Sequence, residues 1–491
     1  MGGIAGVLLP NKHKLVSKML GSIAHRGTSS PSIWKSPRAT IGAIGFSNIN
    51  EDPGPKTAAE GKQAIVLDGK LENLYILKCL TQSNQKQNSP SSAILLQAFS
   101  DFGINIFRLI RGGFALAVID ESEFILARDQ LGIKPLYYGI KEGHLYFASE
   151  AKGLVGAVDN VHELPPGHIL HSKKGLLSYS SLGTKPFQAG RVLDSIKQLR
   201  EHLDLSVKRS IPEGVNFGVW LRGGVDSSVI AALARPYVDR LYTFSAGLRG
   251  SPDLEYARKV SRYVGSEHYE RIYDENEIIN VLEKTIYHLE SFDVLLVQRA
   301  ISSYLLSELS ADYVPYVLSG EGANELFAGY TNQKTLSRGK QLAISIKKNI
   351  AALHNTTLQR LDRSATAHGI GVGIPFLASN VVRYALALPA RWKIRGAENV
   401  DKWPLRQGIA ELLPEDVTWR TRSKVPIENA TGNVLTNYAN RKITDQEFSR
   451  ARILDDRYFL RSKEELLYYR IFKRHFAINI PLSEIGQAQH V

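Results

Sequence analysis

The spacing of apolar and polar residues divides the chain at about residue 185. Before that point the apolar residues fall in short runs, at 4–9, 41–46, 64–67, 114–119, 124–128 and 145–148, each of strand length. Helical spacing in 71–80 and 92–99 predicts helices between them. The stretch 81–90 is polar without apolar anchors and reads as a loop; 183–190 reads as a linker. An amphipathic helix is expected over 195–210, and beyond it strands and helices alternate as in a doubly wound parallel sheet. After Lys334 the pattern is mainly helical, and no repeat of solenoid length recurs.

One stretch organises the second half. The apolar run 219–221 meets Gly223 and Gly224, then Asp226, Ser227 and Ser228, then the helix-like segment 229–233. This reads as strand, tight turn and helix start. Glycines let a backbone approach a ligand closely, and the free N–H groups of a first helical turn suit an anion. Asp226 beside two serines offers oxygen ligands for a divalent cation. An ordinary strand-to-helix turn, with Asp226 or Ser227 as N-cap, gives the same pattern. The stretch 317–330 repeats the arrangement: an apolar strand, a turn with Gly320 and Gly322, and an acidic helix start with Glu321, Asn324 and Glu325. In a parallel sheet both turns end at one edge, where ligands bind.

Together the two stretches resemble the pyrophosphate loop and the Gly-Glu-Gly-x-Asp-Glu-Leu-Phe motif of the asparagine synthetases, which split ATP into AMP and pyrophosphate. The similarity runs over almost the whole chain. It implies an α/β protein with an N-terminal Ntn-type αββα sandwich, the class-II glutamine amidotransferase fold, over 1–185, and a C-terminal doubly wound parallel-sheet ATP-pyrophosphatase-like domain over 191–491. It implies that Leu221, Ala246 and Gly320 frame an adenine, that Gly223, Gly224, Val225, Asp226, Ser227 and Glu321 surround pyrophosphate, and that Asp226 and Asn324 hold Mg²⁺. The cofactor implied is ATP or AMP with Mg²⁺. The segments 243–254, His268 to Glu270, 286–293 and Arg299 also resemble that family.

The first half resembles the family's glutamine-hydrolysing domain at Met1-Gly2-Gly3-Ile4-Ala5-Gly6, at His25-Arg26-Gly27 and over 128–138. Its chemical positions differ. The family's nucleophile is a cysteine after the initiator methionine; here it is Gly2, with no side chain to attack a carboxamide. The glutamine-holding arginine falls at Gly45, and the Asn-Gly-Glu string reads Asp68-Gly69-Lys70. A carboxylate repels a developing oxyanion, and Lys70 repels the substrate ammonium. The family's late aspartate falls near Ser91. This half is expected not to hydrolyse glutamine.

In the second half Arg222 stands where the family has a serine, and Asn324 where it has a metal-binding aspartate. The string resembling Glu-x-Arg-x-Pro-Phe-Leu-Asp keeps Pro375, Phe376 and Leu377 but carries Gly371, Gly373 and Ala378 at its charged positions. The catalytic lysine aligns with Arg422, which stays charged, with Lys424 as a substitute. Residual synthetase candidates are Glu321 and Lys424.

Composition narrows the partners. A net charge of +13 and a pI near 9.5 favour polyanions. Segment 334–363 carries Lys334, Arg338, Lys340, Lys347, Lys348, Arg360 and Arg363 against Asp362, and reads as a basic surface near the site. The single cysteine, Cys79, excludes an internal disulfide framework and is expected to be a buried small hydrophobe in a cytoplasmic protein. No apolar run reaches membrane-span length. The expectation is therefore an asparagine synthetase-like protein without glutaminase activity, catalytically impaired, binding RNA or the ribosome through its basic surface. The alternative is an ammonia-dependent, ATP-driven amide-forming ligase; a third is a structural subunit pairing with an active paralogue, and a homo-oligomer is compatible with each.

Overall fold

The computed structural model describes residues 2–46, 57–81, 89–121, 123–180, 191–336, 339–396, 399–420, 428–454 and 458–476. The expected linker, most of the loop after Thr81, Arg338, Arg422 and the candidate Lys424 lie outside the described residues.

Two antiparallel six-stranded sheets make up the first half. Its strands are β1 Gly2–Val7, β2 Ser32–Lys35, β3 Thr40–Gly45, β4 Thr57–Glu60, β5 Gln63–Leu71, β6 Gly112–Ile119, β7 Phe124–Arg128, β8 Tyr137–Lys141, β9 His144–Ala148, β10 His162–Glu163, β11 His168–His171 and β12 Gly175–Ser178. The orders are β10-β8-β9-β1-β3-β2 and β12-β11-β7-β6-β5-β4. Alternation puts Ile4, Ile41, Val66, Ala117, Leu126 and Phe147 between the sheets. Helix α1, His13–Ser22, covers the first sheet; α2, Leu74–Leu80, and α3, Ser91–Phe102, cover the second. The result is the expected αββα sandwich. Cys79 is a correction: it is exposed. Helix α2 buries only Leu77, because seven residues make just two turns and present one row inward, leaving Tyr75, Ile76 and Leu80 also outside.

The second half opens with α4, Val192–Ser210, and builds a parallel sheet of β13 Gly218–Trp220, β14 Tyr242–Leu248, β15 Glu267–Tyr273, β16 Tyr316–Leu318 and β17 Gly371–Gly373, in the order β15-β14-β13-β16-β17. Helices α5 Val225–Ala234, α6 Pro252–Val264, α7 Glu275–Leu289, α8 Val294–Ala311, α9 Ala323–Phe327, α10 Lys340–Ala351, α11 Thr357–Thr366 and α12 Ser379–Ala387 surround it. Strand order reverses between β13 and β16, so the crevice at their carboxyl ends is the switch point where such sheets bind ligands. The central strands β13 and β16 are fully buried and carry no charged residue, as two covered faces require. Helix α5 starts at Val225 with Gly224 as N-cap, not Asp226 or Ser227; both of those lie in the first turn, where the serine hydroxyl ties the turn instead.

The halves share one core. Val16, Leu20 and Ile44 of the first pack in the same cluster as Ile278, Leu282 and Ile301 of α7 and α8. Among the described residues, no helix is long and apolar enough to cross a membrane.

Candidate functional site

The two glycine turns meet at the switch point. Leu221 N donates to the Phe244 carbonyl at 2.8 Å and its carbonyl accepts from Ser245 Oγ at 2.5 Å, which fixes the turn against β14. The Ser227 hydroxyl accepts from Arg222 N at 3.1 Å and donates to the Gly224 carbonyl at 3.2 Å. Gly320 lies directly on the backbone of Asp226, where an added Cβ would come 2.6 Å from the Asp226 carbonyl carbon. Only glycine lets the loops approach so closely.

The cleft between them is about 70 Å³. Gly224, Asp226, Ser227, Ala246, Gly320, Glu321 and Asn324 line it, as does Arg222. Leu221, Gly223 and Val225 do not: Leu221 and Val225 turn into the hydrophobic core. Sequence reasoning missed Ser302 and Ser303 of α8, Arg360 of α11 and, behind the turn, Lys402.

Lys402 and Arg360 decide the electrostatics. Lys402 sits in the left-handed region, φ +54°, with its N–H on the Phe327 carbonyl at 3.1 Å. Its Nζ donates to Asp226 Oδ1 at 2.7 Å and Oδ2 at 2.6 Å. Arg360 donates through Nη2 to Glu321 Oε1 and through Nη1 to Ser303 Oγ, both at 2.6 Å. Burial pushes the Glu321 carboxyl up, but Arg360 and then Arg222 pull it below its ordinary value. Glu325, one turn on, is raised by burial and accepts from the Tyr330 hydroxyl at 2.5 Å and Thr357 Oγ1 at 3.3 Å.

These residues do not fit a divalent cation. Mg²⁺ needs near-octahedral oxygen ligands with negative charge to spare. Here each oxygen of Asp226 already takes a hydrogen bond from one ammonium, Glu321 is held by a guanidinium, and Asn324 is neutral. Among the described residues no group of three His, Cys, Asp or Glu is placed to hold a metal.

The corresponding place in the first half is crossed by strand pairing and a buried ion pair. Gly2 pairs with Gly45 across β1 and β3. Gly2 N donates to Asp68 Oδ1 at 2.8 Å, and its carbonyl accepts from Arg26 Nε at 2.8 Å. A Cβ at position 2 would lie 2.1 Å from the Ile44 carbonyl oxygen. The other Asp68 oxygen accepts from Arg26 Nη2 at 3.1 Å, and both side chains are fully buried. Lys70 leaves the interior and donates to the Arg209 carbonyl of α4 at 3.2 Å. Ser91 is buried in the first turn of α3.

Segment 334–363 corrects the expected basic surface in part. Arg363 is buried, donating to Glu150 Oε1 at 3.2 Å and Glu290 Oε2 at 2.9 Å, and Arg360 faces the cleft. Lys334 pairs with Asp401 at 3.0 Å. Lys340, Lys347 and Lys348 of α10 remain exposed. The inward turn follows from the amphipathic pattern of α11, whose arginines share its buried face with Leu358 and Leu361.

Comparison with known proteins agrees with this architecture. The family model described as asparagine synthase matches residues 198–349 and 345–476, and that described as glutamine amidotransferase domain matches 1–164. The chain is 29% identical over 483 residues to asparagine synthetase B [glutamine-hydrolyzing] of Escherichia coli, covering 92% of this chain and 86% of that protein. It is 27% identical over 511 residues to asparagine synthetase [glutamine-hydrolyzing] 2 of Oryza sativa subsp. japonica, covering 97% and 85%.

Proposed function

The chain belongs to the asparagine synthase family, and from that premise we infer that it is a member which does not hydrolyse glutamine and whose nucleotide cleft binds rather than turns over. The observation that carries this reading is the backbone at Gly2. A thiol nucleophile needs a Cβ, and the Ile44 carbonyl occupies its place at 2.1 Å. Arg26 and Asp68 hydrogen-bond to the Gly2 backbone and to each other beside it.

The cleft supports the second part. Phosphoryl chemistry depends on charge placed at the reacting oxygens. The two acids retained for it are each occupied by an internal cation, Lys402 on Asp226 and Arg360 on Glu321, and Arg222 adds further positive charge. Such a cleft favours a small phosphate anion bound without a metal. The relatives named above are glutamine-hydrolysing asparagine synthetases, so ATP is the ligand class that kinship supports. The second reading, an ammonia-fed amide-forming ligase, draws on the retained Asp226, Ser227 and Glu321 lining the cleft. It requires Lys402 and Arg360 to release both acids.

One experiment separates the two. Purified protein is incubated with aspartate, ammonia and Mg-ATP, and AMP and pyrophosphate are followed; a parallel incubation with glutamine follows glutamate. The binding reading expects neither product. Steady AMP release with asparagine formed establishes the ligase, and glutamate release overturns both readings. The net charge of +13 supports a polyanion partner such as RNA, met by Lys340, Lys347 and Lys348. Co-sedimentation with ribosomes that weakens as salt rises tests it.

A further inference from the structure

A second cavity, of about 350 Å³, lies at the junction of the two halves and away from the glycine turns. The first half contributes the entry to β6, the loop 129–133 and the residues after β12; the second contributes the start and one face of α12. Its size falls in the range of small-molecule sites, which favour such junctions.

The walls divide by chemistry. Ile110, Phe114, Ile133, Leu377 and Val382 give an apolar floor. Arg108, Arg111 and Arg383 stand around it. Arg111 is held in place: Nη1 donates to the carbonyls of Arg108 at 2.7 Å and Ile110 at 2.8 Å, and its backbone N–H donates to Asn73 Oδ1 at 2.9 Å. Its Nε and Nη2 have no partner among the described residues, and neither guanidinium of Arg108 and Arg383 has one.

Two carboxylates also line the cavity, and neither answers these cations. Asp129 is fully enclosed. Its oxygens accept from the backbone N–H groups of Phe114, Leu131, Ile133 and Lys134 at 3.0–3.2 Å, which holds the loop and uses its acceptor capacity. Glu72 accepts from Ser379 N at 3.1 Å across the junction. No described ion pair joins Glu72 or Asp129 to any of the three arginines. A planar guanidinium with open N–H groups is the side chain suited to carboxylate and phosphate oxygens.

We propose that this junction cavity is a binding site for a small organic anion with an apolar body, its carboxylate or phosphate-monoester head on Arg111, Arg108 and Arg383 and its body on Ile133 and Phe114. A ligand so placed touches both halves and stabilises their union. Nothing in the proposal depends on the chemistry of the glycine-turn cleft.

Calorimetric titration of the full chain tests it, and the substitutions at Arg111 and Arg383 separate this cavity's heat from any arising at the glycine turns. The probes are phenyl phosphate, 4-phenylbutyrate and inorganic phosphate. The expected result is saturable binding of an aromatic probe, at least about tenfold tighter than inorganic phosphate. Phenyl phosphate binding alone assigns a phosphate head, and phenylbutyrate alone a carboxylate. Arg111→Gln and the change Arg383→Gln at an exposed position of the rim are each expected to weaken the probe about tenfold, with an unchanged circular dichroism spectrum. No binding by either aromatic probe overturns the proposal. So does affinity that survives both substitutions, or inorganic phosphate binding as tightly as phenyl phosphate.

Discussion

Arg26 and Asp362, 336 residues apart, are joined by two hydrogen bonds, Nη1 to Oδ2 at 2.6 Å and Nη2 to Oδ1 at 3.2 Å. The pair is the centre of a buried network across the halves. Arg26 also reaches Glu150 at 2.7 Å; Lys134 reaches Asp362 at 3.1 Å; Arg363 reaches Glu150 and Glu290; and Glu290 accepts from the N–H groups of Ala151 and Lys152 at 3.1 and 2.7 Å. Cations Arg26, Lys134, Lys152 and Arg363, with His25, meet carboxylates Asp68, Glu150, Glu290 and Asp362. Removing one member leaves an uncompensated buried charge. Asp362→Ala is therefore expected to cost about 3–5 kcal/mol in a urea unfolding experiment. A loss under about 1 kcal/mol would show that water relieves the network.

Acid should weaken the fold from about pH 6.5 downward. Burial, then the Lys152 and His25 charges, push His288 down to about 3. His354 and His368 are lowered by burial as well. Between about pH 6.5 and 3 the unfolded chain takes up a proton at His288 that the folded chain refuses, so stability present above 6.5 is lost as pH falls. Asp362 and Glu150 act further down. Burial raises both, but Arg26 and Lys134 hold Asp362, and Arg363 and His25 hold Glu150, well below the usual carboxylate range. Their stabilisation is present above about pH 4 and fades below it. Urea midpoints from pH 8 to 4 check this, and His288→Gln should flatten the upper part of the slope.

Lys393 is buried in the core of the second half, and burial lowers its amine to about 7. No ion pair to it is present among the described residues. Lys393→Met should stabilise the protein, on the order of a few kcal/mol at and below pH 7. The gain should shrink as pH rises from 7 to 10.5, because the unfolded chain then also loses its proton. A destabilised variant at pH 7 would show that the ammonium has a partner.

Pyrophosphate should bind the wild-type cleft equally well in Mg²⁺ and in EDTA, since Lys402 occupies both oxygens of Asp226. Lys402→Met should free that carboxylate, weaken binding in EDTA about tenfold and make Mg²⁺ restore it. Calorimetry in the two buffers reads the difference. A wild type that binds only with Mg²⁺ contradicts the reading of the cleft.

Gly2→Cys, alone or with Asp68→Asn, should release no glutamate from glutamine. The strand pairing of Gly2 with Gly45 leaves 2.1 Å between a Cβ and the Ile44 oxygen, so the strand must shift before a thiol fits. A glutamate assay of both variants settles the point, and a lower melting temperature is the expected accompaniment.

Much was written into the chain locally. Apolar periodicity placed the strand runs and the parallel alternation, because a strand or helix must bury one face whatever it packs on. Glycine turns placed the cleft, and Gly2, Gly45 and Asp68 carry the proposal that glutamine is not hydrolysed, since a residue type carries its own reactivity. Helix ends were less legible: α5 begins at Val225, several residues before its apolar run, because Gly224 rather than a polar side chain caps it. Tertiary structure alone decided the charges. Lys402 is 176 positions from Asp226, Arg360 is 39 from Glu321, and no local pattern announces either contact. It also turned Arg360 and Arg363 inward and Cys79 outward. The physical reason is range: periodicity and turn chemistry act over a few residues, whereas an ion pair's strength depends on burial and partner, which exist only once distant segments have met.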